Sequence, residues 1–376
     1  MKNSFLSATT DSLRRFDPSE LAAMRRPEVA LPTRVAEKEG AFSMMWAPRL
    51  GHTILIIACL LACHASLGKE TPDLSALRSP VLFRGNSTTA YRDPAAIYHD
   101  GWFRLFFSLI RSESDGQTYI YAAWSKSRDL VQWTEPKIFT PRDRNLNFSS
   151  PGNIIRYGQE WVLCLQTYPR PNGERFGNAD ARMWTRRSKD LETWSEPELI
   201  RVKGPGVRRE KMGRLIDPYL LQDTDEPGKW WCFWKGGLAW SHDLSTWTPA
   251  GSIPECENPC VLVDRGQYML FRSRNRPDGI GVMRSSDLLH WRNEGELTLG
   301  QKDWPWAQGR LTAGFVLDLR REPALAKALM FFHGSDFPEN DPRGGFDNFA
   351  SIGIAWSNDL QTWDWPGKSG QSSTLR

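Results

Sequence analysis

The segment Ser127-Arg128-Asp129-Leu130-Val131-Gln132-Trp133 has four further copies in this chain, at Ser188–Trp194, Ser241–Trp247, Ser285–Trp291 and Ser357–Trp363. Every copy keeps Ser, Asp, Leu and Trp at the same offsets, with the Asp at 129, 190, 243, 287 and 359. Such uneven spacing describes one supersecondary unit that tolerates loop insertions, and it excludes a solenoid of strict period. Ser and Asp side chains bond nearby backbone N–H groups and fix tight turns. Leu and Trp can then pin the turn to a sheet by apolar contact. The motif is therefore expected to be structural, not catalytic.

Upstream of each turn lies a short strand, such as Tyr119 to Trp124 or Ile352 to Trp356, and before that a hairpin. Asp93-Pro94 opens a strand over Ala95 to Tyr98, Asp100-Gly101 makes the turn, and Trp102 to Phe107 returns. This is a hairpin signature. Ser150-Pro151, Asp217-Pro218 and Glu257-Asn258-Pro259 open the next three, closed by turns at Tyr157-Gly158, Gly228 and Asp264-Arg265-Gly266. The fifth lacks the proline, with Phe315 to Leu317 and Ala328 to Phe332 as its counterparts. A further strand after the Trp, such as Glu135 to Phe139, brings each unit to four. The expected fold is all-β, a five-bladed β-propeller of four-stranded antiparallel blades. In such a ring the first strand of each blade lines the axis. That places Asp93, Ser150, Asp217 and Glu257 around one opening, where proline is tolerated at the first residue of a strand.

Hydrophobic residues make up 40% of the 376 and charged residues 24%, enough for a large core, and all-β units of this length are commonly single domains. The net charge of +4, from 48 basic and 44 acidic residues, is too balanced for a nucleic-acid partner. Of the 18 Trp, most are read as core and the rest as surfaces for stacking on sugar rings. Near the amino terminus, Arg49 precedes an uncharged run from Gly51 to Ala62, and small residues follow. Residues 44–68 thus read as a signal peptide. The run is shorter than the ~20 residues of a spanning helix, so no transmembrane anchor is expected. Residues 1–43 lack apolar periodicity and read as a disordered or over-extended start, which leaves 69–376 for the propeller. The expected location is secreted or periplasmic, and Leu60-Leu61-Ala62-Cys63 loosely matches a lipobox in which Cys63 is acylated. Cys164, Cys232, Cys256 and Cys260 remain after cleavage, too few for a disulfide scaffold. Cys256 and Cys260 would lie about 13 Å apart along a strand, beyond bridging distance, and no zinc spacing accompanies them.

Carboxyl groups converging on one opening are what glycosidic cleavage requires: one protonated towards the leaving oxygen, another ionised to activate water or attack carbon. A third nearby can hold the acid's pKa up by like-charge repulsion. At Tyr91-Arg92-Asp93-Pro94 with Asp100-Gly101, Ile216-Asp217-Pro218 and Glu257-Asn258-Pro259, the chain resembles glycoside hydrolase family 43 and its five-bladed relatives, the arabinanases, β-xylosidases and arabinofuranosidases. The likeness spans roughly residues 75 to 366. It implies Asp93 as general base, Asp217 as pKa modulator and Glu257 as general acid, with inversion at the anomeric carbon. Asn258 departs from the Gly or Ala common at that place, and Glu255 is a second candidate acid.

Arg92, Ser150, Arg272 and His333 are the candidate substrate-contacting residues. Arg272 suits a sugar hydroxyl or carboxylate, or else an ordinary salt bridge. His333-Gly334-Ser335 resembles the family's histidine that helps hold calcium or water in the central channel, and a satisfied structural histidine is the other reading. No cofactor is required and no metal ligand is assigned; a structural Ca2+ in the channel is the one ion that the resemblance admits. Lys203, Arg208, Arg209, Lys211 and Arg214 crowd the loop before Asp217, where they either recognise a uronic acid, sulfate or phosphate group or are merely solvated. The insertion from Asp336 to Phe349 is expected at the rim. The expected partner is a carbohydrate, neutral or anionic. Two alternatives stay open: a glycoside phosphorylase on the same fold, and a carbohydrate-binding propeller without catalysis.

Overall fold

The computed structural model describes residues 72–254, 256–273, 279–338, 341, 343, 345–368 and 373–374. The expected signal peptide, Cys63, the first 43 residues and Glu255 lie outside the described residues. Within them the chain forms β-strands linked by turns and short 3-10 segments, and no helix is long and apolar enough to cross a membrane.

The strands build five antiparallel sheets in chain order, one per repeat. Blade one runs Thr89–His99, Trp102–Ser112, Thr118–Ser127 and Lys137–Ile138. In blade two the innermost strand is split into Phe148–Ser149 and Ile154–Tyr157, both paired with Glu160–Thr167, and Met183–Ser188 and Glu198–Leu199 follow. Blade three is Tyr219–Gln222, Trp230–Trp234, Gly237–Ser241 and Thr248–Gly251, and blade four is Glu257–Asp264, Gln267–Ser273, Ile280–Ser285 and Arg292–Leu297. Blade five has Arg310–Leu319, Lys327–Ser335 and Ser351–Ser357. Its outer edge comes from both ends of the described chain: Thr362–Asp364 pairs with one end of Ser351–Ser357, and the early strand Val81–Phe83 pairs with the other. That pairing ties the start of the ring to its end and covers an edge that would otherwise be open.

The repeated motif is a clamp at the end of each blade's third strand. In the first copy Ser127 Oγ donates to Asp129 Oδ1 (2.9 Å), which also accepts from the N–H groups of Val131 (2.9 Å) and Gln132 (2.8 Å). Leu130 N–H donates to Ser127 Oγ (2.9 Å), and the Trp133 indole donates to the Leu130 carbonyl (2.9 Å). All five motif leucines have left-handed backbones: φ 66° at Leu130, 63° at Leu191, 59° at Leu244, 67° at Leu288 and 65° at Leu360. That conformation costs a β-carbon-bearing residue about 1–2 kcal/mol, which the Asp and Ser bonds offset while each leucine is buried. The motif Trp also joins neighbouring blades, since Trp194 packs edge-on against Phe106 (5.7 Å) and Trp363 against Phe271 (6.2 Å). The hairpin turns are as their residues require, with positive φ at both Asp100 and Gly101 and at both Arg265 and Gly266. The four described cysteines are free and buried, and burial pushes the Cys164, Cys256 and Cys260 thiols up to about 12, which leaves them unreactive.

Candidate active site

In or beside each innermost strand, at its pocket end, stands one non-glycine residue with positive φ: Asp93 (49°), Ser150 (40°), Asp217 (60°), Asn258 (47°) and Ala313 (53°). In blades one, four and five the pairing with the second strand skips two residues at this point, a β-bulge. A bulge leaves its extra residues unpaired and turns a side chain out of the sheet, which explains why Pro94, Pro151, Pro218 and Pro259 can follow. The strain is partly offset across blades. A residue on the second strand of the preceding blade accepts the bulge N–H: His333 Nδ1 from Asp93 (3.1 Å), Ser108 Oγ from Ser150 (2.8 Å), Gln166 Oε1 from Asp217 (2.6 Å) and Ser273 Oγ from Ala313 (2.9 Å).

This register corrects one expectation. The blade-four equivalent of Asp93 and Asp217 is Asn258, and Glu257 stands one residue earlier, in line with Arg92 and Thr312. Glu257 nonetheless lines the same pocket of about 650 Å³ as Arg92, Asp93, Ser150, Asp217 and Asn258. Arg272 and His333 are not among the residues lining it. Arg272 sits on the strand face opposite Ser273, which points to the axis and bonds Asn258. His333 lies behind Asp93.

Asp93 is held from several sides. Its Oδ2 accepts from Ser108 Oγ (2.9 Å) and Ser150 Oγ (3.1 Å), and its Oδ1 accepts from the Asn258 amide (3.3 Å), which Ser273 Oγ orients by donating to the Asn258 oxygen (2.9 Å). His333 is fully buried, and burial, with Arg92 and Arg310 nearby, pushes its pKa well below the usual histidine range. Its Nδ1 accepts a backbone N–H, so the ring is neutral with its hydrogen on Nε2. No group of three or more His, Cys, Asp or Glu placed to hold a metal ion is found among the described residues, and no step below passes through one.

The other two carboxyls are pushed apart. Burial raises Asp217 well above the ordinary 3.8, and the charges of Glu257 and Asp93 add to it. Burial also acts upward on Glu257, but the hydrogen bond and charge of Lys235, with Arg310 and Arg92, outweigh it and hold Glu257 below the usual range. Lys235 Nζ donates to Glu257 Oε1 at 2.7 Å, and Arg310 stands 3.8 Å from Oε2. Lys235 follows directly from the blade's architecture. Its N–H donates to the carbonyl of Ile216, just before the bulge, so it occupies the slot held by Ser108, Gln166, Ser273 and His333 in the other blades. An ammonium cannot accept an N–H, and this one turns to Glu257. Lys235 and Arg310 were missed in the sequence; the available signal was a lone charge at the end of the apolar run Trp230 to Trp234.

Of the five basic loop residues, Arg214 alone lines the pocket, its guanidinium 5.4 Å from the Tyr168 ring. The insertion reaches the rim, with Pro338 and Phe346 in the lining and Phe346 stacked on Tyr168 (6.0 Å, 23°).

Neither a protein-family model nor a curated protein sequence matches the chain. Solved structures do. A thermostable family-43 glycoside hydrolase shares 15% identity over 80% of this chain and 98% of its own, with a TM-score of 0.53. A family 117 glycoside hydrolase produced by Zobellia galactanivorans shares 14% over 73% and 86%, with a TM-score of 0.52. An exo-β-1,3-galactanase from Clostridium thermocellum shares 17% over 72% of this chain and 62% of its own, with a TM-score of 0.50. The fold is thus that of the five-bladed propeller glycoside hydrolases.

Proposed function

We propose that the protein hydrolyses a glycosidic bond of an oligo- or polysaccharide with inversion, Asp93 acting as general base, Glu257 as general acid and Asp217 as the group that governs the acid's proton. The observation that supports this most is the convergence of Asp93, Asp217 and Glu257 on one pocket of about 650 Å³. Within it burial pushes Asp217 towards its neutral form and Lys235 draws Glu257 towards a carboxylate. Two titrating neighbours share their protons as a pair, and an inverter needs one acid and one base.

In the resting protein these opposite shifts favour the proton on Asp217. Glu257 is the more exposed of the two, at 29% of its side chain, and so the better placed to meet a leaving oxygen. A sugar that draws the Lys235 ammonium off Glu257 removes the bond that keeps it ionised, and burial then favours its protonated form. Asp93, oriented by Ser108, Ser150 and Asn258, takes the proton of the attacking water. Asp217 donating directly to the leaving oxygen is a second reading, favoured by its raised pKa alone.

The test uses Asp93→Asn, Glu257→Gln and Asp217→Asn with a panel of pentose, uronic and sulfated oligosaccharides in phosphate-free buffer. Products are read by mass spectrometry and their first-formed anomer by NMR. Loss of one general catalyst should cost roughly 10²–10⁴-fold. Only the variant lacking the acid should recover on an aryl glycoside with a good leaving group, so recovery of Asp217→Asn in place of Glu257→Gln selects the second reading. Unchanged turnover in both Asp93→Asn and Glu257→Gln would remove the assigned chemistry. Sugar binding without any turnover would select the non-catalytic propeller, and turnover only on adding inorganic phosphate would select the phosphorylase.

A further inference from the structure

We propose that the sugar held in this pocket carries a negatively charged substituent, a carboxylate or a sulfate ester, and that Arg214 at the pocket wall receives it. The inference deepens the proposed function and rests on the pocket being the sugar site.

The charge of the lining points this way. Four basic side chains line it, Arg92, Arg214, Lys235 and Arg310, against three carboxyls, Asp93, Asp217 and Glu257. Burial pushes Asp217 towards its neutral form, which adds to the excess of cations over carboxylates in the lining. A neutral sugar gives that excess nothing to pair with. Lys235 and Arg310 are both directed at Glu257, whereas Arg214 lies beside Tyr168.

In the pocket lining an aromatic stack carries two guanidinium groups. Tyr168 and Phe346 stack at 6.0 Å; Arg92 lies 4.1 Å over Phe346 and Arg214 lies 5.4 Å from the centre of Tyr168. The acid beside the stack, Asp347, is committed to Arg170 by two bonds of 2.6 and 2.8 Å. Arg214 is exposed and has no carboxylate in ion-pair range among the described residues. A guanidinium with one face on a ring keeps its N–H edge for a planar or tetrahedral oxyanion. Phe176, 40% exposed and edge-on to Phe346 at 5.3 Å, extends the apolar face against which the sugar's C–H side can lie. Charge at the edge and apolar surface beside it suit an acidic sugar better than a neutral pentose.

The experiment is calorimetric or NMR titration of the full chain and of Arg214→Gln and Arg214→Lys with matched probes: D-galacturonic acid against D-galactose, D-glucuronic acid against D-glucose, and galactose 6-sulfate. At least one acidic probe should bind roughly tenfold more tightly than its neutral partner, a preference that weakens as salt rises. Arg214→Gln should reduce the preference to within about twofold, and Arg214→Lys should recover part of it. Preference for the uronates identifies the carboxylate, and preference for the sulfate alone identifies the ester. Equal or weaker binding of every acidic probe, no binding of any, or a preference that survives in Arg214→Gln, would overturn the proposal. Acid-selective binding in a protein that turns over no glycoside would leave this inference standing and sink the hydrolase reading. Brisk turnover of neutral oligosaccharides without acid preference would do the reverse.

Discussion

Replacing Asp217 by Asn should make the protein more stable, by an amount that grows with pH. In the folded chain Asp217 is buried, and burial together with the charges of Glu257 and Asp93 keeps it protonated well above the ordinary 3.8. In the unfolded chain it ionises near that ordinary value. Between the two midpoints the folded state holds one proton more than the unfolded state, so the wild type loses stability as pH rises, at about 1.4 kcal/mol per pH unit for one proton. Asn has the shape of the protonated acid and no proton to lose, so the variant escapes that slope. A domain of about 300 residues loses roughly 1.5–2 °C of Tm per kcal/mol. The gap between variant and wild type should therefore be small near pH 4 and widen by about 2–3 °C per unit above it. Thermal unfolding of both proteins at pH 4, 5 and 6, followed by circular dichroism, measures it directly. Parallel Tm curves would refute the reasoning, because they would mean that Asp217 is ionised in the folded chain. The same substitution should lower turnover roughly 10²-fold or more, a trade of stability against chemistry expected where a site holds a strained charge.

Other outcomes follow from the same contacts. Lys235→Met removes the charge-assisted bond that keeps Glu257 ionised, a bond of about 1.5–3 kcal/mol, so the protonated fraction of Glu257 at neutral pH should rise roughly tenfold or more; the alkaline limb of kcat/KM should move to higher pH, and an unmoved limb would deny Lys235 that role. Asp129→Ala strips the first clamp of its acceptor and should cost about 1–2 kcal/mol, read as a Tm lower by a few degrees with kcat unchanged. The backbone and serine bonds that Asp190 and Asp243 accept hold both carboxyls down to about 2. Their contribution to stability is complete above the unfolded pKa and fades only as pH falls through about 2, which acid titration of the circular dichroism signal can follow. Gly152→Ala would bring a methyl group to 1.6 Å from the Pro218 carbonyl, where blades two and three meet, and should yield little soluble protein.

Much of the fold was readable because its determinants are local. The Ser-x-Asp-Leu-x-x-Trp clamp closes within seven residues, and the Asp100-Gly101 turn within two. The candidate site was readable only as far as its residues announce themselves along one strand. Proline marks the bulge in four blades, but it does not say whether the acid sits on the bulge or before it, and so Glu257 was aligned with Asp93 where Asn258 belongs. Arg272 drew notice as a charge in an apolar strand, yet the period of two turns it away from the side that Ser273 faces. The groups that set the carboxyls' charge come from other blades: Lys235 from blade three, Arg310 from blade five and the Asn258 amide on Asp93 from blade four. No spacing in the chain encodes those meetings, because they exist only once the ring has closed.

Closure also explains why one substitution in a repeated slot can govern the charge of the pocket. Four blades fill the slot behind the bulge with Ser108, Gln166, Ser273 and His333, all able to accept a backbone N–H. A neutral acceptor there fixes backbone and leaves the neighbouring carboxyl to its burial. Blade three fills it with a cation, which reaches the next blade's Glu257 and draws it towards its ionised form, while Asp217, more deeply buried and lacking such a bond, is pushed towards its protonated form. The difference between the two acids thus lies in what stands behind them, and an accepting residue at 235, as in Lys235→Gln, should narrow it. Were the pH–rate profile of Lys235→Gln to match that of the wild type, the division of charge in the pocket would have to come from Arg310 and Arg92 alone.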